Sequence, residues 1–304
     1  MNDALWTLKD VSLGCRLIDV TVGVPRGVTA VLGHSGAGKT SLLNLLVGFE
    51  RPDAGTLTAA LDWEGHTRPL FWAPQDDGLW PHLSARDHLA AMGTGQADAL
   101  LAEFDLTGRA GALPPTLSQG ERTRLAVARA LAADAAVLVM DEPLAHVDPA
   151  RLGKYWEAIR RRMEASGASL VFSTLSPRAV LSEARQVICL HSGRVVYAGG
   201  VETLYRSPPT VELAGCLGEA NWMEPEELRL WLGREEAAAR CFRPEQLDVR
   251  PAAGGILIAE SARFYGPVAE VRLRHEPSGA VRRFWHRPAG HDLPAGARVS
   301  LEAR

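Results

Sequence analysis

The sequence predicts an α/β fold for the first two thirds of the chain and a small β domain for the rest. From Trp6 to about Leu204, apolar strand-like runs alternate with helix-like runs, which indicates a largely parallel sheet covered by helices. Short runs of alternating polarity, separated by Gly and Pro, follow residue 240 and are typical of a small β-barrel. The chain has 304 residues, a length that favours about two domains.

The α/β part is predicted element by element from its apolar runs. Between residues 76 and 135 strand-like runs are missing and helix formers dominate, which predicts an inserted helical subdomain. Strands are predicted at Val28–Leu32, Val137–Met140, Leu170–Ser173 and Val187–Leu190, and helices at Ser41–Val47, Arg122–Ala133, Pro149–Ala165 and Pro177–Glu183.

The segment Tyr205–Pro225 predicts a domain boundary, because prolines and glycines interrupt it repeatedly. We place the two domains at residues 1–214 and 215–304. In the second domain, a short helix at Glu226–Glu236 precedes five strand-like runs near Cys241–Val249, Ile256–Ala259, Val268–Arg274, Val281–Trp285 and Ala297–Leu301.

Composition argues against several classes of protein without excluding them. The 33 basic and 36 acidic side chains give a formal charge of −3, so we expect no direct nucleic-acid partner. The four cysteines lack C-x-x-C spacing, which argues against a zinc site or a disulfide framework and favours a reducing compartment. The N-terminus does not resemble a signal peptide, and apolar runs stay short. We therefore expect a chain that does not cross a membrane by itself.

A nucleotide-binding loop is predicted directly after the first strand. Gly33-His34-Ser35-Gly36-Ala37-Gly38-Lys39-Thr40 fits G-x-x-x-x-G-K-[ST] and leads into a helix. In this pattern backbone N–H groups and the helix N-terminus surround phosphates, and the lysine reaches the β and γ oxygens. The alternative, a glycine-rich turn without a ligand, leaves the Lys-Thr pair unexplained. We assign these eight residues and Ser41 to ATP binding, and the Thr40 hydroxyl to Mg²⁺.

Two carboxylates end the predicted strand at Val137–Met140. Asp141 is placed to hold Mg²⁺ through water, and Glu142 to orient and deprotonate the attacking water. A strand that merely stops at a polar turn would explain one acidic residue better than two before Pro143.

A third motif, Leu117-Ser118-Gln119-Gly120-Glu121, precedes the helix at Arg122–Ala133. Ser118 and Glu121 form a capping box that would start any helix, but Gly120 is not required for that. Together with Gln75 in Phe71-Trp72-Ala73-Pro74-Gln75, the phosphate loop, this motif and the acidic strand resemble the ATP-binding cassette (ABC) family in order and separation.

The resemblance implies a P-loop NTPase cassette, with a RecA-like core and an inserted helical subdomain, that works as a homodimer or a paired cassette. It implies that the signature residues Ser118, Gln119, Gly120 and Glu121 clamp ATP bound to the facing copy. Asp148 would lie at the dimer seam. Gln75 would join Thr40 and Asp141 at Mg²⁺ and, with Glu142, take part in catalysis.

The chain departs from the family pattern in the signature, where Gln119 and Glu121 replace the usual Gly and Gln, and at two further places. The family has a histidine at the γ-phosphate where this chain has Thr174, so we assign Thr174 to the catalytic site and expect slow hydrolysis. An aromatic residue that stacks on adenine is missing from residues 12–16, which makes GTP use plausible. We interpret Trp6 as a strand residue.

The last part of the chain resembles the OB-like transport-associated domain of importers of the polyamine, iron, maltose and molybdate kind. The resemblance rests on Gly218-Glu219-Ala220-Asn221-Trp222 and Arg243-Pro244-Glu245; a barrel that only extends the dimer interface is the alternative. An importer subunit implies integral-membrane permease subunits near Gln75 and Trp80, an indirect solute-binding protein, and a place at the cytoplasmic face of the membrane. The other hypotheses are a regulatory cassette with weak hydrolysis and a soluble cassette ATPase acting on nucleic acid or ribosomes.

Overall fold

The computed structural model describes residues 4–93, 95–288 and 293–304. The chain forms two compact units, Met1–Val201 and Glu202–Arg304. The domain boundary predicted after residue 214 falls within a helix of the second unit. The division between the units thus lies at Val201 and Glu202, and the limits 1–214 and 215–304 remain a prediction.

The first unit begins with two long strands and ends with a short antiparallel one. Its elements are β1 (Ala4–Leu13), β2 (Leu17–Pro25), β3 (Val28–Leu32), α1 (Lys39–Leu46), β4 (Ala54–Ala59), β5 (Arg68–Ala73), α2 (Ala85–Ala90), α3 (Ala97–Glu103), α4 (Gln119–Ala132), β6 (Ala135–Met140), α5 (Pro149–Ser166), β7 (Ser169–Thr174), α6 (Pro177–Glu183), β8 (Gln186–His191) and β9 (Arg194–Gly200), with single 3₁₀ turns at Thr107–Arg109 and Pro114–Thr116.

The main sheet of this unit has the strand order β5-β6-β7-β3-β8-β9. Strands β5, β6, β7, β3 and β8 run parallel, as predicted, and in this sheet only β9 pairs antiparallel to its neighbour. Every residue of β6 and β7 is buried, which is the pattern of strands covered on both faces. Because β3, β6 and β7 are parallel neighbours, the residues that follow them meet at one edge of the sheet.

A second sheet, with the order β2-β1-β4, was not predicted. Strand β2 alternates buried and exposed positions and β4 is almost entirely exposed, so neither forms the continuous apolar run from which strands are predicted. Trp6 lies in β1 and is 1% exposed, as expected of a strand residue. Leu8 and Leu17 of this sheet pack in one core with Leu42 and Leu43 of α1.

The helical subdomain predicted between residues 76 and 135 contains α2, α3 and α4. Helix α4 begins at Gln119, three residues before the predicted start, because the Ser118 hydroxyl accepts a hydrogen bond from the N–H of Glu121 at 3.2 Å. The Glu121 carboxylate in turn accepts from the N–H of Ser118 at 2.8 Å. This capping box satisfies donors that the helix itself leaves unpaired.

The second unit is the β domain that the sequence predicts. Its core includes Trp231, Phe242 and Phe284. Five strands form an antiparallel sheet in the order β12-β16-β13-β14-β15. The elements are α7 (Val201–Arg206), α8 (Val211–Cys216), β10 (Asn221–Met223), α9 (Pro225–Leu232), β11 (Arg240–Phe242), a 3₁₀ turn at Pro244–Gln246, β12 (Leu247–Pro251), β13 (Leu257–Phe264), β14 (Ala269–His275), β15 (Val281–His286) and β16 (Arg298–Ala303).

Arg243 connects the two motifs on which the resemblance of the last domain rests, Gly218–Trp222 and Arg243–Glu245. Its side chain is 1% exposed and donates to the carbonyls of Gly218 at 3.2 Å and Glu219 at 3.3 Å. The guanidinium also donates to the Ala214 carbonyl at 2.9 Å and lies 4.3 Å from the centroid of the Tyr205 ring. A buried arginine needs such partners, so the segment before β10 and the start of β12 are fixed to each other.

Candidate functional site

A cleft of about 300 Å³ lies at the carboxyl edge of the main sheet, where β3 and β6 end. It brings together residues that are far apart in the sequence, including half of the predicted site residues. The lining residues are Arg16, Ser35, Gly36, Gly38, Lys39, Thr40, Ser41, Gln75, Asp141, Glu142 and Leu175. This edge is where ligands bind in open parallel sheets.

The phosphate loop presents the first turn of α1 to this cleft. The first hydrogen bond within the helix is donated by Leu42 to the Gly38 carbonyl at 2.9 Å, so the preceding N–H groups lack helical acceptors. Gly38 has φ +103°, and a Cβ there would lie 2.6 Å from the carbonyl oxygen of Arg16. Only glycine fits this position. Gly33, His34 and Ala37 shape the loop but are not among the described lining residues.

Lys39 is the buried cation of the cleft. It is 8% exposed, and its Nζ donates to the carbonyls of Gly33 at 2.9 Å and His34 at 3.3 Å. Nζ also lies 3.8 Å from Oε1 of Glu142. The ammonium is thus held between the loop and the carboxylates, where it is available to phosphate oxygens.

Asp141 is fixed by two hydroxyl groups. The Thr40 hydroxyl donates to Oδ2 at 2.6 Å, and the Ser173 hydroxyl donates to Oδ1. Ser173 is fully buried and also accepts the N–H of Glu142 at 2.9 Å. This serine therefore holds the carboxylate of Asp141 and the backbone of Glu142, a role that the sequence pattern did not predict. The available signal was a polar residue inside the otherwise apolar run of β7.

Glu142 combines an unusual backbone with a perturbed carboxyl group. Its φ is +50°, a conformation that costs free energy in a non-glycine residue and is found at functional sites. Burial raises the pKa of Glu142, and the charge of Lys39 opposes that rise. The N–H of Leu175 donates to its Oε2 at 3.3 Å. A carboxylate of this kind is suited to accept a proton from water.

The structure separates Thr174 from the residue that lines the cleft. Thr174, the last residue of β7, is 7% exposed, and its hydroxyl accepts the N–H of Ser176 at 3.0 Å. Leu175 is 55% exposed and forms part of the cleft wall. The geometry thus favours Leu175 over Thr174 for contact with a bound ligand, while the catalytic assignment of Thr174 remains a prediction.

The signature residues lie outside the described lining of this cleft. Gln119 Nε2 and His146 Nε2 are 2.9 Å apart. A Cβ on Gly120 would lie 2.8 Å from the carbonyl oxygen of His146, which explains the glycine that the capping box does not require. Asp148 caps α5, accepting the N–H of Ala150 at 2.9 Å. The signature and the loop of residues 144–148 therefore form one connected surface.

The predicted Mg²⁺ ligands fit a hard cation. Thr40 and Asp141 place a hydroxyl and a carboxylate oxygen side by side at the cleft, and Gln75 adds an amide oxygen donor to its wall. Oxygen atoms of this kind are the ligands that Mg²⁺ prefers, with phosphates and waters completing the shell. Within the described ranges, no group of three or more His, Cys, Asp or Glu forms a separate metal site.

Comparison with known proteins shows a family match in the first unit and relatives that align over most of the chain. The sequence profile of the ABC transporter family matches residues 17–145. The "Fe(3+) ions import ATP-binding protein FbpC" of Pseudomonas fluorescens strain Pf0-1 is 32% identical, over 90% of this chain and 88% of the relative. The "Sulfate/thiosulfate import ATP-binding protein CysA 2" of Chromobacterium violaceum is also 32% identical, over 81% of this chain and 76% of the relative.

Among solved structures, one titled "Structure of ATP binding subunit of ABC transporter" is similar to this chain, with a TM-score of 0.59 and 25% identity. It covers 69% of this chain and 99% of its own. No helix in the described part of this chain has both the length and the apolar character needed to span a bilayer.

Proposed function

Because this chain belongs to the ABC transporter family, we propose that it is the ATP-binding and ATP-hydrolysing subunit of an importer and works with separate permease subunits. The observation that carries the proposal is the convergence of a phosphate loop, a buried lysine and two carboxylates on one cleft. The relatives are named for different solutes, iron in one case and sulfate or thiosulfate in another. The proposal therefore includes solute import but names no solute.

In the proposed reaction the phosphates of ATP lie at the N-terminus of α1, where backbone N–H groups and Lys39 bind them. Glu142 orients a water molecule and accepts its proton, while Ser173 holds the backbone N–H of Glu142. Thr40, Gln75 and Asp141 would hold Mg²⁺, which supplies charge neutralisation on the phosphates when bound. Leu175 excludes water on the side next to Glu142.

We propose that two copies, or this chain and a related cassette, pair head to tail. Support comes from the position of the signature, which lies outside the cleft of its own chain. The N-terminus of α4 attracts anions, and Ser118 stands at that end. A facing copy would bring Ser118 and Gly120 to the γ-phosphate, and Asp148 would lie near the seam.

The same proposal places the chain at the cytoplasmic face of a membrane, bound to its permease. Trp80, which follows Gln75 in the subdomain, is 41% exposed and stacks on His88 with ring centroids 5.5 Å apart. An exposed, rigidly held tryptophan is suited to contact a partner. A solute-binding protein would act on the permease and not on this chain.

Hydrolysis of Mg·ATP by the purified chain, alone and with its permease in liposomes, tests the proposal. Wild type should hydrolyse ATP, and Glu142→Gln should lower kcat by roughly 10²–10⁴-fold while retaining ATP binding. Mg·ATP should convert Glu142→Gln from a monomer to a dimer in light scattering, and Mg·ADP should not. Equal inactivity of both proteins with the permease present would contradict the enzymatic function.

A second candidate function is a cassette that binds ATP but hydrolyses it slowly. It is favoured by Leu175, because a leucine side chain in the cleft wall has no donor for the transition-state charge. Slow turnover together with tight ATP-dependent pairing would distinguish this candidate from the first.

A further inference from the structure

One residue of the nucleotide cleft is accounted for by neither the phosphate loop nor the carboxylates. Arg16 is the last residue of the turn between β1 and β2 and contributes to the cleft wall. Its carbonyl oxygen packs against Gly38, so its backbone is fixed to the phosphate loop. Its side chain is 49% exposed. The side chain is therefore both anchored and accessible.

Arg16 reaches the first turn of α1 on a different side from Asp141. Thr40 faces Asp141, with its hydroxyl 2.6 Å from that carboxylate. The next residue of α1, Ser41, is turned about 100° further around the helix. Its hydroxyl lies 3.3 Å from Nη1 of Arg16. With the γ-phosphate of a nucleotide at the carboxylates, the Arg16 side chain is the cation of the cleft wall that remains for the base.

The guanidinium is held in one plane by Glu50. Nη1 donates to Oε1 of Glu50 at 2.9 Å, and Nη2 donates to Oε2 of the same carboxylate. Asn44 also donates to Oε1 at 3.0 Å, which fixes the carboxylate. Because both bonds of the pair lie at the edge of the guanidinium, its faces stay unoccupied by this interaction. A planar cation oriented in this way can stack on an aromatic ring.

None of the described residues that line the cleft is aromatic, so another planar group has to provide a surface for the base. We propose that the Arg16 guanidinium, oriented by Glu50, is the stacking platform for the nucleotide base. The inference rests on the proposed function, since it assumes that the phosphates bind at the loop. A guanidinium face has no donors directed at the edge of a base, so the platform accepts adenine and guanine alike.

The test compares ligands with and without a base, in the Glu142→Gln background to prevent turnover. Dissociation constants for Mg·ATP, Mg·GTP and Mg·tripolyphosphate are measured by calorimetry for Arg16, Arg16→Ala, Arg16→Lys and Arg16→Trp. Arg16→Ala should weaken ATP and GTP binding about tenfold and leave tripolyphosphate unchanged. Arg16→Lys keeps the charge but loses the plane, and should weaken ATP about as much. Arg16→Trp should bind ATP within about threefold of Arg16.

Three outcomes would overturn the inference. If Arg16→Ala weakens ATP and tripolyphosphate binding equally, Arg16 is a phosphate ligand. If Arg16→Ala leaves the ATP affinity unchanged, Arg16 has no role in binding. If Arg16→Lys binds ATP with normal affinity, charge alone suffices. If the Glu142→Gln protein with Arg16 unchanged binds neither ATP nor tripolyphosphate, the proposed function fails instead. Circular dichroism and thermal unfolding confirm that each variant is folded.

Discussion

The two ends of the nucleotide cleft are built on different physical principles. At the phosphate end, three buried groups are held by their neighbours: the Lys39 ammonium lies 3.8 Å from Glu142 and donates to the Gly33 carbonyl, and Asp141 accepts hydrogen bonds from Thr40 and Ser173. At the other end, a single half-exposed pair, Arg16 and Glu50, orients one planar surface. Buried, mutually connected groups resist change because each loss leaves a partner unsatisfied. An exposed pair contributes less and is more easily replaced.

Removal of the lysine should have the largest effect at the phosphate end. Lys39→Ala deletes the buried ammonium and its charge-assisted bonds to phosphate, so affinity for Mg·ATP should fall about 100-fold or more. Affinity for tripolyphosphate should fall by the same factor, because the base end is untouched. Calorimetry with both ligands measures this, and a selective loss of ATP binding would contradict the division into two ends.

The acid dependence of turnover should report on Glu142. A general base must be ionised, and burial raises the pKa of Glu142, so kcat/KM should fall about tenfold per pH unit below a pKa higher than the ordinary value of about 4.3. The raised pKa also means that the folded state disfavours the ionised carboxylate. Above that pKa the ionised Glu142 therefore lowers the stability of the folded state. Glu142→Gln removes this charge, so its Tm should exceed that of wild type at neutral pH.

The control for this profile is the difference in Tm between Glu142→Gln and wild type, measured below the pKa of an ordinary glutamate. There the difference should shrink, because Glu142 is neutral in both the folded and the unfolded state. An acid limb of kcat/KM at the ordinary glutamate value would contradict the assignment of Glu142 as a buried base. Unfolding curves recorded at each pH separate loss of catalysis from loss of structure.

Ser173→Ala should lower kcat by about tenfold, because Asp141 loses a donor and the buried N–H of Glu142 loses its acceptor. ATP affinity without Mg²⁺ should stay the same. The matched control is Ser169→Ala, since Ser169 is a buried serine at the other end of β7 that accepts a hydrogen bond from Gly27 at 3.0 Å. If both variants lose Tm equally but only Ser173→Ala loses kcat, Ser173 is a positioning residue; an equal loss of kcat would make its role purely structural.

Leu175→His should raise kcat about fivefold, because it adds a hydrogen-bond donor to the cleft wall beside Glu142. The matched variant is Thr174→His, which the sequence pattern favours as the activating change. From its burial at the end of β7, we expect that variant to lose stability and gain no activity. Steady-state ATPase rates and Tm values for the pair decide between the two positions, and a gain in Thr174→His alone would restore the assignment based on sequence.

The smallest effect is expected at Glu50, which acts on the base only through Arg16. Glu50→Gln keeps one acceptor but loses the charge of the pair, so ATP affinity should fall about threefold and tripolyphosphate affinity should not change. Added salt should reduce the difference between wild type and variant, because exposed ion pairs are screened. A loss larger than that of Arg16→Ala would show that Glu50 contacts the nucleotide itself.

The sequence by itself determined the chemistry of the phosphate end and the elements that carry it. The loop between a strand and a helix has a fixed length, so the local sequence is enough to place Lys39 and Thr40. The strand that ends in Asp141 and Glu142 is predicted from its continuous apolar residues. The parallel sheet and the C-terminal β domain followed from the same apolar runs, because their burial requires that pattern.

Only the tertiary structure decided which distant residues complete the cleft. Ser173 binds Asp141 across neighbouring strands, Leu175 and not Thr174 forms the wall, and Arg16 meets Glu50 over 34 positions of chain. No local spacing encodes these pairs, since strand order and the burial of one side chain beside another arise from packing of the whole unit. The sheet of β1, β2 and β4, which places Arg16 at the loop, was not predicted for a different reason: β2 and β4 lack continuous apolar runs.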